Sequence, residues 1–299
     1  MSFINILIQI LITFSLFTGT LILASRRIRV PVNKENVIKN GIVAPCDYDK
    51  IVDTLYLNIS EGKSTLTKPE LMILDMLSNY QWDRPVYILS QGGDINIGIK
   101  DYLQFDGFMY KLVPIKSRLS LTEINQVDTD KMYDLLMNRY RWDCFSKDFH
   151  VDYQNLVVFN SSFSQRYIFV QTAVALYRKQ QKDRAVEVLD KMQEVFPDTK
   201  FPLNTSIIYS VNEMMVVQAA EIYYKTGNSD KARELLTKFM DETLLSIKLF
   251  SKPYGSRSVI SKYDLQTNFQ LYQYGLELFD QFDKELADSY IEEIDYLLR

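Results

Sequence analysis

From Phe3 to Ala24 the chain runs 22 residues without a charged side chain. Wound as an α-helix, such a run extends roughly 33 Å, enough to cross the hydrocarbon core of a bilayer. It predicts a transmembrane helix within 1–25, with the membrane contact made through 3–24. A cleaved signal peptide is the alternative. However, no Lys or Arg precedes the run, and Leu21-Ile22-Leu23-Ala24 lacks a small-x-small cleavage pattern. Arg26, Arg27 and Arg29 follow at once, and the positive-inside tendency, taken alone, places what comes after them in the cytoplasm.

The rest of the chain reads as folded protein. With 47% hydrophobic residues, 24% charged residues, 10 Gly and 8 Pro, a long disordered or low-complexity chain is excluded. A length of 299 predicts two folded units beside the membrane segment. The 34 basic residues are outnumbered by 38 acidic ones, so no global positive field draws in nucleic acid, and none is expected as a partner. The two cysteines, Cys46 and Cys144, have neither a metal-type nor a redox-type spacing. They form one disulfide in an oxidising compartment or remain two thiols. His150 is the sole histidine, so a catalytic triad or histidine-rich metal site has almost nothing to draw on. No catalytic residue, metal site or cofactor is expected.

The fold class expected is α+β. After the membrane helix, Val30-Pro31-Val32 and Pro45 punctuate a linker over 26–46, and a small α/β domain follows over 47–127. Asp53 to Ser60 alternates like a strand, and Pro69 opens a helix with Leu71, Leu74 and Leu77 on one face. Val86 to Leu89 and Gly107 to Ile115 supply further strands, suggesting a βαβ-like sheet.

Over 128–299 the pattern is helical, beginning with Met132, Leu135, Leu136 and Tyr140 on one face. An internal repeat then emerges. Ala173, Leu176, Ala185, Leu189 and Pro197 carry the tetratricopeptide spacings, and Ala220, Tyr223, Gly227, Ala232, Leu236 and Phe239 repeat them. Gly275, Ala287, Ile291 and Ile294 form a weaker third copy. Small residues recur because two helices must approach closely where they cross, while the larger ones fill the groove between hairpins. Insertions such as 202–209 and 251–261 separate the copies, making a degenerate array whose alanines belong to helix crossings.

Gln91-Gly92-Gly93-Asp94 follows a predicted strand, and such a glycine pair brings backbone N–H groups near an anion, so Gly92, Gly93 and Asp94 are weak ligand-binding candidates. The stretch lacks the Lys-Ser/Thr ending of a P-loop, and a plain turn is the plainer reading. Asp47, Asp49 and Asp53 offer carboxylates for a cation or acid–base pair, against a solvated face or helix cap. The 20 Tyr and 17 Phe suit sugar stacking in principle, but at helical spacing they are mostly core.

Five segments carry a resemblance to a known family: Arg29 to Val52, Leu71 to Leu77, Asn79 to Tyr87, Asp101 to Lys116, and Met132 to Met137 leading to Arg141-Trp142. Together they resemble the soluble C-terminal region of a family of large Gram-negative bacterial membrane proteins, of unknown function or protein O-mannosyltransferase-like. Members resemble membrane-embedded glycosyltransferases of the C type, which move a sugar from a lipid-linked donor to an acceptor outside the cytoplasm. Their catalytic acid lies in a polytopic core that precedes the segments matched here, so no catalytic residue carries over and the isolated chain is expected to be inactive. The resemblance implies an inner-membrane protein with its soluble part in the periplasm, against the arginine count. The expected role is acceptor docking or assembly with a polytopic membrane partner. The alternative is a tethered tetratricopeptide-like scaffold for an envelope protein, unrelated to glycosylation.

Overall fold

The computed structural model describes residues 13–14, 21–22, 26–63, 65–89, 97–116, 127–142, 165–204, 211–251 and 259–298. The chain divides into two compact units, Met1–Asp128 and Thr129–Arg299.

In the first unit, Thr13–Phe14 (β1) and Leu21–Ile22 (β2) pair antiparallel, Thr13 opposite Ile22 and Phe14 opposite Leu21. These four residues are extended where the sequence predicted a membrane helix; β-branched Thr13 and Ile22 favour that conformation. The remainder of the run from Phe3 to Ala24 lies outside the described residues, and no described helix is long and apolar enough to cross a membrane.

Arg27–Pro31 (β3) alternates with period two: Ile28 and Val30 are fully buried, while Arg27, Arg29 and Pro31 face out. It pairs antiparallel with Thr54–Asn58 (β4), whose Leu55 and Leu57 enter the same core. Between them lies Lys34–Lys39 (α1), started by Asn33, whose side chain accepts the Asn36 N–H at 3.1 Å. Val37, Ile42 and Val43 are buried behind it. The expected linker over 26–46 is therefore corrected: it supplies a strand, a helix and part of the core. Its Pro31 ends a strand and its Asn33 caps a helix, so both punctuate structure rather than interrupt it.

Lys68–Ser78 (α2) opens on a reciprocal cap between Thr67 and Glu70 with Pro69 in the first turn, and buries Leu74 and Leu77. A three-stranded sheet joins Tyr87–Ile88 (β5), Leu103–Asp106 (β6) and Met109–Leu112 (β7) in the order β5-β7-β6. Its three strands pair with one another antiparallel, so the βαβ expectation is also corrected. The partner of β4 is β3, and α2 connects strands of two different sheets. Gly107, at φ +69°, turns the chain between β6 and β7, which cuts the predicted 107–115 strand to a hairpin arm.

Single side chains tie this unit together. Trp82, fully buried, donates from Nε1 to the Pro31 carbonyl at 3.1 Å. The Tyr102 hydroxyl accepts the Tyr56 N–H at 2.9 Å. At Gly98, φ +78°, an added Cβ would lie 2.4 Å from the Asn58 backbone nitrogen, so only glycine lets this turn meet β4.

The second unit begins with Thr129–Asp134 (α3), continued by a π turn over Leu135–Arg139; Met132 and Leu136 are buried. Among the described residues three helical hairpins follow: Gln165–Arg178 (α4) with Lys182–Val195 (α5), Val211–Lys225 (α6) with Ser229–Phe250 (α7), and Val259–Phe282 (α8) with Lys284–Leu298 (α9). Ala173, Ala185, Ala220, Ala232 and Ala287 are all fully buried. The first two hairpins turn identically. Gln181 N–H reaches the Leu176 carbonyl and Gln180 N–H that of Tyr177; Asn228 and Gly227 repeat this with Tyr223 and Tyr224. The left-handed position is Gln180 in one and Gly227 in the other, at φ +62° and +85°.

In the third hairpin a Cβ at Gly275 would fall 2.2 Å from Met240 Sδ, which explains a glycine where α8 crosses α7. Ile294 is buried, but Ile291, expected in the core, is 41% exposed. The inward position belongs to its neighbour Tyr290, stacked on Phe279 with centroids 5.6 Å apart.

Candidate functional site

Arg166 sits in the first turn of α4, ahead of Ile168, Phe169 and Val170, and the burial of that apolar run takes its guanidinium inside. It donates to the carbonyls of Phe196 at 3.3 Å, Pro202 at 3.1 Å and Phe201. The segment 196–204, which leaves α5, is thus stapled to α4. Burial lowers the Arg166 pKa to about 10, partly countered by Glu242, Glu213 and Asp198, so the group stays cationic at neutral pH. A cation beside the carbonyls at the end of α5 also suits the helix dipole.

Beside this staple a cavity of about 130 Å³ opens between α5, α6 and α7. Its floor is apolar, with Met192, Phe196, Leu203, Val216 and Leu235, and Arg166, Gln193, Asp198 and Lys238 are its polar lining. Lys238 Nζ is 3.0 Å from both Asp198 and Glu234, and these bonds raise its pKa. Phe196 is wedged edge-on against Phe201 and Phe169, at 5.3 and 6.0 Å between centroids. On the α5–α6 side, Tyr223 donates to Asp190 at 2.9 Å and accepts from Gln193 at 2.8 Å, with burial pushing its pKa up.

The same segment reaches further. The Asn204 N–H donates to Glu242 at 2.8 Å, and its side-chain amide donates to Thr243 at 2.9 Å and to Asn268 at 2.8 Å. Asn204 therefore links α7 and α8, and desolvation raises the Glu242 pKa in this setting.

Among the described residues, no Ser, Cys or His lines the cavity, and its charged groups are engaged with one another or with backbone carbonyls. The volume suits one protruding apolar side chain or about four water molecules. The chemistry offered is recognition: an apolar socket under an ion-paired rim.

The sequence-derived candidates lie elsewhere. Gly92, Gly93 and Asp94 fall outside the described residues, as do Cys144 and His150. Asp53 pairs with Lys34 at 2.8 Å on the solvated face, and Asp47, whose side chain is mostly covered, pairs with Lys50. Among the described residues, no group of three or more His, Cys, Asp or Glu is placed to hold a metal ion. Cys46 is an exposed thiol. Arg166, Asn204 and Lys238 were missed because nothing in their spacing sets them apart; the one usable signal was an arginine directly before an apolar helical run.

Residues 12–131 match the family described as TMEM260-associated domain 2, and residues 167–199 and 216–242 match the tetratricopeptide repeat. No curated protein and no solved structure matches the chain. The two repeat matches fall on the α4–α5 and α6–α7 hairpins, where the small residues are buried. The helical unit thus carries tetratricopeptide-like repeats, a module of protein-interaction scaffolds.

Proposed function

We propose that this chain is a periplasmic, membrane-tethered scaffold that docks a protein acceptor, or assembles with a polytopic membrane protein, in the service of sugar transfer. The observation that carries the scaffold role is the pair of tetratricopeptide-like hairpins with an apolar socket between them. The link to glycosylation is supported by the match over 12–131 and by the resemblance to protein O-mannosyltransferase-like proteins. The tether is supported by the apolar run from Phe3 to Ala24.

Chemistry in such a system needs a carboxylate beside the acceptor and a water-excluding groove for the lipid carrier, both supplied by the polytopic partner. The test is reconstitution with labelled lipid-linked sugar and envelope protein acceptors, with and without a candidate polytopic partner. Transfer only with the partner, lost when Lys238→Glu reverses the rim charge, is the expected result. Transfer by the chain alone refutes the non-catalytic role. A stable complex with an envelope protein and no transfer in either arm favours the second reading, a scaffold unrelated to glycosylation.

A further inference from the structure

The outward side of α7 continues from the mouth of the socket. Glu234, Lys238, Asp241, Leu245 and Leu249 lie three or four residues apart, so they fall in line along one side of the helix, and all five are exposed. Lys238 belongs to the socket, whose mouth it braces through Asp198 and Glu234. Leu245 and Leu249, at 58% and 49% exposure, follow about 10 and 16 Å beyond it along the helix axis. A lone exposed leucine is ordinary. Two on adjacent turns, in line with an apolar socket, make a straight track of three apolar stations.

Such a row is an i, i+4 ridge, the shape that enters the groove of a second helix. Its surroundings set the charge of that helix. Tyr290 donates to Asp241, and Lys248 pairs with Glu293 at 3.1 Å, so α9 lies alongside the track. The hairpin 259–298 that contains α9 carries nine carboxylates against Lys262 and Lys284, a net of −7 in a chain whose total is −4. Glu285, Asp288, Glu292 and Asp295 are exposed on α9. The cations beside the track, Lys238 and Lys248, are each bridged to carboxylates. A partner that covers the leucines therefore meets a negative field.

We propose that the outer side of α7 takes a basic amphipathic helix of a partner protein, with one apolar side chain in the socket and others over Leu245 and Leu249. This rests on the scaffold reading of the helical unit and specifies the chemistry of its partner. The probe is a labelled peptide of about 20 residues built from Ala and Lys, with leucines at i, i+4, i+7 and i+11, which presents the three stations in either direction along α7. An isomer with its leucines spread around the helix is one control, and a peptide with every Lys replaced by Glu is the other. The full chain should bind the patterned basic peptide at least about tenfold more tightly than either control. Leu245→Gln with Leu249→Gln should weaken that binding about tenfold, and because both side chains are exposed the melting temperature should hold. The methyl resonance of Met192 on the socket floor, assigned with Met192→Leu, should shift with the patterned basic peptide alone. Equal binding of the three peptides, an unchanged affinity in the glutamine variant or an unmoved Met192 resonance overturns the proposal. A complex with an envelope protein separates this failure from failure of the scaffold reading. If that complex survives the glutamine substitutions, another face does the docking and the proposal falls, whereas no complex and no peptide binding removes the scaffold reading as well.

Discussion

The two units solve the same packing problem by opposite means. In the helical unit one solution is used repeatedly: a fully buried alanine at each hairpin crossing, Ala185, Ala232 and Ala287, and the same turn after α4 and α6. In the sheet unit every solution is used once. Trp82 reaches Pro31 across 51 residues, Tyr102 reaches Tyr56 across 46, and Gly98 is needed at one approach to β4. Repetition is readable in a sequence because spacing announces it, whereas a unique long-range contact leaves no periodic trace.

The sharpest way to break this contrast is to remove a unique contact. Trp82→Ala deletes a fully buried indole and should cost the first unit about 4 kcal/mol. The chain has two tryptophans, Trp82 and Trp142, one in each unit, so Trp142 fluorescence in this variant follows the helical unit alone. Chemical denaturation that leaves the first unit's midpoint unmoved would mean its core does not depend on this residue.

Ala232→Trp tests the repeated solution by overpacking a helix crossing, and should cost the helical unit more than about 2 kcal/mol. An unchanged melting temperature by circular dichroism would place the crossing elsewhere. The pH response separates the units less strongly. Burial, then the nearby Asp83 charge, raises the Tyr80 pKa from 10.0 to about 12. The folded state therefore holds its proton more tightly than the unfolded chain. That stabilisation is complete below pH 10 and declines as the pH rises toward 12, by about 2 kcal/mol at most. Tyr80→Phe should flatten the alkaline fall in melting temperature, and a fall of unchanged slope would remove Tyr80 as its cause.

The smallest effect compares the two turns directly. Gln180 holds a left-handed conformation that Gly227 adopts without a Cβ. Gln180→Gly should stabilise by about 0.5–1 kcal/mol and Gly227→Gln should destabilise by a similar amount. Shifts of the same sign would show that the turns are not equivalent.

What was legible follows from these differences. Ala173, Ala185, Ala220 and Ala232 declared the hairpins, and Pro69 with Leu74 and Leu77 declared α2, because a helix repeats its buried face every turn. The stretch 26–46 was misread because Pro31 means something different at the end of a partnered strand than in open chain, and the partner, β4, lies more than twenty residues on. Ile291 failed by one residue, since Tyr290 is large enough to claim the inward position. The socket was not legible because the carbonyls of Phe196, Phe201 and Pro202 that receive the Arg166 guanidinium lie thirty or more residues away in the chain.

Asn204 gives the helical unit a property that its repeats alone would not. In an open solenoid each hairpin touches only its neighbours, so hairpins are added or lost with stability changing stepwise. Here a side chain from the end of the first hairpin bonds to Thr243 in the second and Asn268 in the third. Excising the middle hairpin would take Thr243 and Glu242 away from Asn204, leaving part of a buried amide without a partner. One amide thus ties all three hairpins together, a link that neither insertion nor loss of a repeat would preserve.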